Sequence, residues 1–110
     1  MDFRIAASRR DKRAAADCLH GLGSALVLQG DADGAARLLG AADAALEAIG
    51  ASPSAAERAV DERVRPLLRG QLGVEFDYKL GAGRSLSLDE AVALVLPAAG
   101  RSARFEPAPI

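Results

Sequence analysis

The chain has 110 residues, of which 50% are apolar and only 4% aromatic, and it contains no Trp. This length suits one domain with a single core, and the composition requires that core to be built mainly from Ala, Leu and Val. The 14 basic and 15 acidic residues give a net charge of −1, which provides no overall field to attract nucleic acid or an anionic membrane. We therefore expect no direct nucleic acid binding.

The single cysteine, Cys18, cannot form an internal disulfide and lacks the companion ligands of a structural zinc site. We expect no metal, no cofactor and a reducing, cytoplasmic setting. The N-terminal sequence MDFRIAASRRDKR has no apolar run like that of a signal peptide. The apolar stretch from Ala91 to Ala99 is shorter than the ~20 residues needed to span a bilayer, so we expect a soluble chain without a membrane partner.

Apolar residues at three- and four-residue spacing predict two long helices, from Arg9 to Gln29 and from about Asp31 to Ile49. Between them, Gly30 can take the left-handed conformation that ends a helix, and Asp31 or Asp33 can cap the second helix. The predicted core positions are Ala15, Cys18, Leu19, Leu22, Ala25 and Leu26 in the first helix, and Ala35, Leu38, Leu39, Ala42, Leu46 and Ile49 in the second.

Gly23 stands inside the first helix, where a glycine costs about 1 kcal/mol relative to alanine. Two antiparallel helices joined by a tight turn approach closely only where a side chain is missing. We therefore predict that Gly23 leaves room for Ala35 and Leu39 of the second helix, and that the two helices form an antiparallel hairpin.

Three shorter signals follow the hairpin. Ser54 and Glu57 have the spacing of a capping box and predict the start of a third helix. Pro66 should kink or divide that helix because proline lacks an amide donor. A fourth segment, from Gly73 to Leu80, should end at the sequence GAG, which we interpret as a helix end followed by a turn.

A second capping box, SLDE at residues 87–90, predicts a fifth helix with Leu88, Val92, Val95 and Leu96 on its apolar side. Pro97 and Gly100 would close it. The expected organisation is an N-terminal arm at 1–8, a helical repeat-like domain at 9–99 and an irregular C-terminal tail at 100–110. The predicted fold class is all-α, a stack of helical hairpins with about five helices.

The hairpin sequence resembles a tetratricopeptide repeat, which has Leu-Gly in its first helix, a Gly-Asp turn and small residues in its second helix. The residues that match this pattern are Leu19, Leu22, Gly23, Leu26, Gly30, Asp31, Ala35, Leu39 and Ala42. The resemblance covers about a third of the chain and implies that its hairpins stack through their apolar faces.

A longer stretch, from Cys18 to Leu96, resembles the C-terminal helical region of bacterial multidomain transcriptional regulators of the LuxR and AfsR type. The segments ARLLGAADAALEAIG and GRSLSLDEAVALVL carry this resemblance. It implies the terminal piece of a helical-repeat array, which serves binding and regulation. It brings no catalytic residues with it.

The candidate chemistry within the chain is sparse. GAGRS, from Gly81 to Ser85, lacks the further residues of a phosphate-binding loop. Cys18 and His20 are two residues apart and point to different faces of a helix, so we predict Cys18 in the core and His20 on the surface. The acidic residues Glu57, Asp61 and Glu62 alternate with arginines, which is typical of an ion-paired helix surface.

These observations favour a non-catalytic scaffold that binds a protein or peptide partner, with a homodimer as one possible assembly. The alternative is a small-molecule sensor with a pocket between helices. In the tetratricopeptide pattern the first helix of each pair lines the binding face. Here that face comprises Asp17, His20, Ser24, Val27 and Leu28. A second interpretation is that this stripe packs on a neighbouring helix.

Overall fold

The computed structural model describes residues 9–87 and 89–94. Within these residues the chain forms helices α1 (Arg9–Leu28), α2 (Ala32–Ala48), α3 (Ala55–Leu72) and α4 (Glu75–Arg84), and residues 89–94 are also helical. The described part contains no strand, which confirms the all-α prediction. The predicted arm at 1–8, the tail at 100–110 and the predicted core residues Leu88, Val95 and Leu96 lie outside the described residues.

Local signals fix the ends of these helices. Gly30 has a φ of 84° between α1 and α2, and the Asp31 carboxylate accepts a hydrogen bond of 2.9 Å from the Gly34 amide. Ser54 and Glu57 form the predicted capping box at the start of α3, with distances of 3.1 and 2.9 Å. The second box, at residues 87–90, is also formed. These predictions are confirmed.

The α1–α2 hairpin closes around Gly23. A Cβ built on this glycine would lie 3.2 Å from the Leu39 side chain and 3.3 Å from the Ala35 carbonyl oxygen. Both neighbours are the residues predicted for this gap. The glycine therefore lets the two helices pack more closely than a larger side chain would permit.

The core forms on two sides of α2, which is the central helix. One cluster joins Leu19 of α1 to the 89–94 segment through Ala91. The other joins α2 to Leu68 of α3 and Phe76 of α4. The buried residues of α2 are Ala35, Ala36, Leu38, Leu39, Gly40, Ala41, Ala42 and Leu46. The chain thus returns to its first hairpin after α4.

The expected division of the third helix at Pro66 and the expected end of the fourth helix at the GAG sequence are wrong, whereas a kink at Pro66 stays a prediction. Helix α3 runs without division through Pro66. Pro66 lies on the exposed side of α3, where a carbonyl that loses its helical donor can bind water. Helix α4 continues through the GAG sequence to Arg84. Gly83 is buried against the Arg37 backbone of α2, and this close packing compensates for the low helix propensity of glycine.

Candidate functional site

The five residues of the predicted binding stripe on α1 do not form one open surface. The His20 residue is only 5% exposed, and Val27 packs against the core cluster shared with α3. Asp17 and Ser24 are half-buried. Leu28 is 90% exposed. His20 and Val27 thus follow the second interpretation, in which the stripe packs on a neighbouring helix.

The predicted positions of Cys18 and His20 are reversed, because Cys18 is exposed and His20 is buried. His20 can be buried because its Nε2 atom lies 2.7 Å from the Asp61 Oδ1 atom of α3. A buried polar group with a hydrogen-bond partner avoids most of the cost of leaving water. The side of α1 that faces α3 therefore carries a histidine rather than a leucine.

The contact between His20 and Asp61 continues into α2. The Arg65 Nε atom lies 3.2 Å from the Asp61 Oδ1 atom, and the Arg65 Nη2 atom donates to the Asp43 Oδ1 atom over 2.9 Å. Burial alone would lower the pKa of Arg65, but the carboxylates of Asp43 and Asp61 outweigh it and raise that pKa. We call this set of four side chains the polar chain; it links α1, α3 and α2.

A second polar group lies closer to the start of α1. Arg13 contacts Asp17 at 3.1 Å and Glu57 of α3 at 3.4 Å. Burial and a hydrogen bond with Glu57 raise the pKa of Asp17. Burial alone would raise the pKa of Glu57. The net effect is a lower pKa, because Glu57 accepts a hydrogen bond from the Ser54 backbone, shares one with Asp17, and lies near the charges of His20 and Arg13. Asp17 is thus the carboxyl group of this pair that holds a proton more readily.

Glu57 and Asp61 are therefore not the plain surface ion pairs that their sequence context predicted. Glu57, Asp61 and Arg65 recur every four residues on the side of α3 that also carries the buried Leu68. This alignment of charged residues with a core leucine was a signal available in the sequence, although their partners on other helices were not.

In the described residues, no group of three His, Cys, Asp or Glu side chains could hold a metal ion.

The contacts of the polar groups place α1 and α3 side by side in parallel, because Arg13 meets Glu57 and His20 meets Asp61. Helix spacing places three of the exposed large apolar residues of α1 and α3 on the sides of these helices away from their contacts with α2. These are Leu28 of α1, and Val60 and Leu67 of α3. We call them the seam leucine-valine surface. Such residues are candidates for contact with a partner.

The chain matches no protein-family model, and comparison with curated proteins and with solved structures likewise gives no match. None of the helices in the described residues is long and apolar enough to cross a membrane.

Proposed function

We propose that this chain is a non-catalytic helical scaffold that binds a protein or peptide partner, of the kind found at the end of the repeat arrays of LuxR- and AfsR-type regulators. The observation that carries the proposal is the exposure of Leu28 and Leu67, at 90% and 54%, beside the seam between α1 and α3. Removing apolar surface from water is the dominant favourable contribution to most protein–protein association.

The arrangement of the first three helices supports this proposal. Parallel neighbours α1 and α3, with α2 packed antiparallel against α1, have the relative directions of successive helices in a tetratricopeptide array. The partner surface that we propose keeps Leu28 from the predicted stripe, with Asp17 and Ser24 at its edge. It replaces the buried His20 and the partly buried Val27 with Val60 and Leu67. The proposed setting is the cytoplasm.

Capture of partners from a native lysate by the immobilised chain tests this proposal. We expect Leu28→Asp to lose a partner that the unaltered chain retains, with the affinity of the purified partner falling at least about tenfold. Val74→Asp is the matched control, because Val74 is 92% exposed in the turn before α4 and lies outside the seam. A partner that binds both variants equally would overturn the proposed surface.

A second copy of the chain is one partner that the seam leucine-valine surface could bind. Sedimentation equilibrium of the unaltered chain and of Leu28→Asp distinguishes this case. A dimer that Leu28→Asp converts to monomer would identify the homodimer as the assembly formed through this surface. If the chain remains monomeric at high concentration, it does not form the homodimer, and the proposed partner is a different protein.

A further inference from the structure

A groove of about 300 Å³ lies between the start of α1, the second half of α2 and the residues that follow α4. Its floor consists of alanines of α2, including Ala44, Ala45 and Ala48, and Ile49 and Leu86 add to the apolar wall. Alanines at three- and four-residue spacing share one face of a helix. Because their side chains are short, they leave the space that forms the groove.

One cation borders this apolar groove. Lys12 of α1 lines it, and among the residues that the structure describes Lys12 has no carboxylate partner. By contrast, the Lys79 ammonium lies 2.7 Å from an oxygen of Asp33. Ser87 lies on the same rim; its hydroxyl accepts a hydrogen bond from the Glu90 amide, and its O–H can still donate.

We propose that this groove binds an aliphatic carboxylate, of the class of medium-chain fatty acids. The hydrocarbon chain lies on the alanine floor, and the carboxylate meets the Lys12 ammonium with the Ser87 hydroxyl beside it. The charge of Lys12 selects an anionic head group. The volume is at the lower limit of small-molecule sites, which excludes a large ligand. This site is separate from the seam leucine-valine surface and does not depend on the proposed scaffold function.

Calorimetric titration of the full chain with hexanoate, octanoate, decanoate and dodecanoate tests the proposal. Each methylene that enters the groove should tighten binding about fourfold, until the groove is full and the affinity levels off. Octanol, which has the same chain without the charge, should bind more weakly than octanoate. Absence of binding for every carboxylate, or binding only above the concentration at which the amphiphile aggregates, would overturn the proposal.

Two variants distinguish this groove from general adsorption. Lys12→Gln should weaken octanoate binding at least about fivefold while leaving octanol binding unchanged. Arg10→Gln is its control, because Arg10 is an exposed cation on the same helix outside the groove lining. Ala48→Phe should fill the groove and abolish binding of both ligands, and because Ala48 is exposed the helix content should not change.

Two results of these titrations would contradict the proposed groove site. Equal octanoate affinity in Lys12→Gln, Arg10→Gln and the unaltered chain would show that the lysine does not select the ligand. Undiminished binding by a folded Ala48→Phe variant would place the ligand elsewhere. Ala45→Phe provides a second filling variant from the same floor, so that a single misfolded protein cannot decide the result.

Discussion

Gly40 of α2 and Gly83 of α4 lie at one helix crossing, and each faces the backbone of the opposite helix. A Cβ on Gly40 would overlap the Leu80 carbonyl oxygen, and a Cβ on Gly83 would overlap that of Arg37. The obstacle is backbone in both cases, so a side-chain rotation cannot relieve the overlap. The two helices can keep their present separation only if both positions remain glycine.

Gly40→Ala and Gly83→Ala should each lower the free energy of unfolding by about 1–3 kcal/mol, because the added methyl group overpacks the helix crossing. Gly70→Ala is the control, because Gly70 is also helical but a Cβ there meets no atom within 4 Å. It should stabilise the chain by up to about 1 kcal/mol. Urea unfolding of the three variants checks this, and equal midpoints for Gly40→Ala and Gly70→Ala would contradict the close crossing.

His20→Ala should destabilise the chain by about 2 kcal/mol, because it removes a buried ring and leaves the Asp61 carboxylate without one of its partners. Ser24→Ala should cost less than about 1 kcal/mol, because the Ser24 hydroxyl donates only to the His20 carbonyl one turn earlier. Thermal unfolding of both variants checks the difference. If His20→Ala melted at the temperature of the unaltered chain, the polar chain would contribute nothing to stability.

Arg65→Leu should lower the free energy of unfolding by about 2 kcal/mol or more. It leaves Asp43 and Asp61 without their shared cation in a partly buried site. Arg69→Leu serves as the comparison, because the Arg69 side chain is 58% exposed in its ion pair with Asp77. An exposed pair contributes about 0–1 kcal/mol. Unfolding in guanidinium chloride measures both variants. Equal losses in the free energy of unfolding would show that the partly buried ion pairs of Arg65 contribute no more than the exposed pair of Arg69.

Asp17→Asn should stabilise the chain slightly at neutral pH. Burial and the hydrogen bond with Glu57 raise the pKa of Asp17, so the folded chain favours the protonated form, and ionisation at higher pH costs stability. Because the side chain is 43% exposed, screening limits the gain to about 0.5 kcal/mol or less. The gain should disappear as the pH falls below the ordinary range of an aspartate.

Unfolding measured from acid to neutral pH checks the sign. Asp77→Asn is a suitable control, because Asp77 pairs with Arg69 and its neutral replacement should lower stability slightly at neutral pH. If Asp17→Asn were less stable than the parent at neutral pH, the ion pair with Arg13 would outweigh the effects of burial and of the hydrogen bond with Glu57.

Helix ends and the hairpin could be predicted from the sequence because their signals are local. Asp31 and Ser54 cap helices through amides three residues away, and Gly30 needs only its own backbone freedom. Gly23 could also be predicted, since a short turn dictates which residues of α2 lie opposite it. Each of these inferences spans fewer than about 20 residues.

The burial of His20 could not be predicted, because its partner Asp61 lies 41 residues further along the chain. Helix α1 has small apolar residues on several faces, including Ala14, Ala16 and Cys18, so the apolar period alone does not fix which face is buried. For the same reason the predicted core residue Leu22 is exposed. Contacts with helices far away in the sequence decide which further faces of α1 are buried, and a sequence pattern does not contain them.

Four of the buried residues of the central helix α2 are alanines, at positions 35, 36, 41 and 42. An alanine has no side-chain rotamers to lose on folding, whereas each buried leucine loses roughly 0.5–1 kcal/mol of rotational entropy. These four positions of α2 therefore add no side-chain entropy cost to folding, unlike the buried leucines of the same helix. The same alanines have no flexible side chain that could move aside, so a larger residue at these positions would overpack the interior around α2.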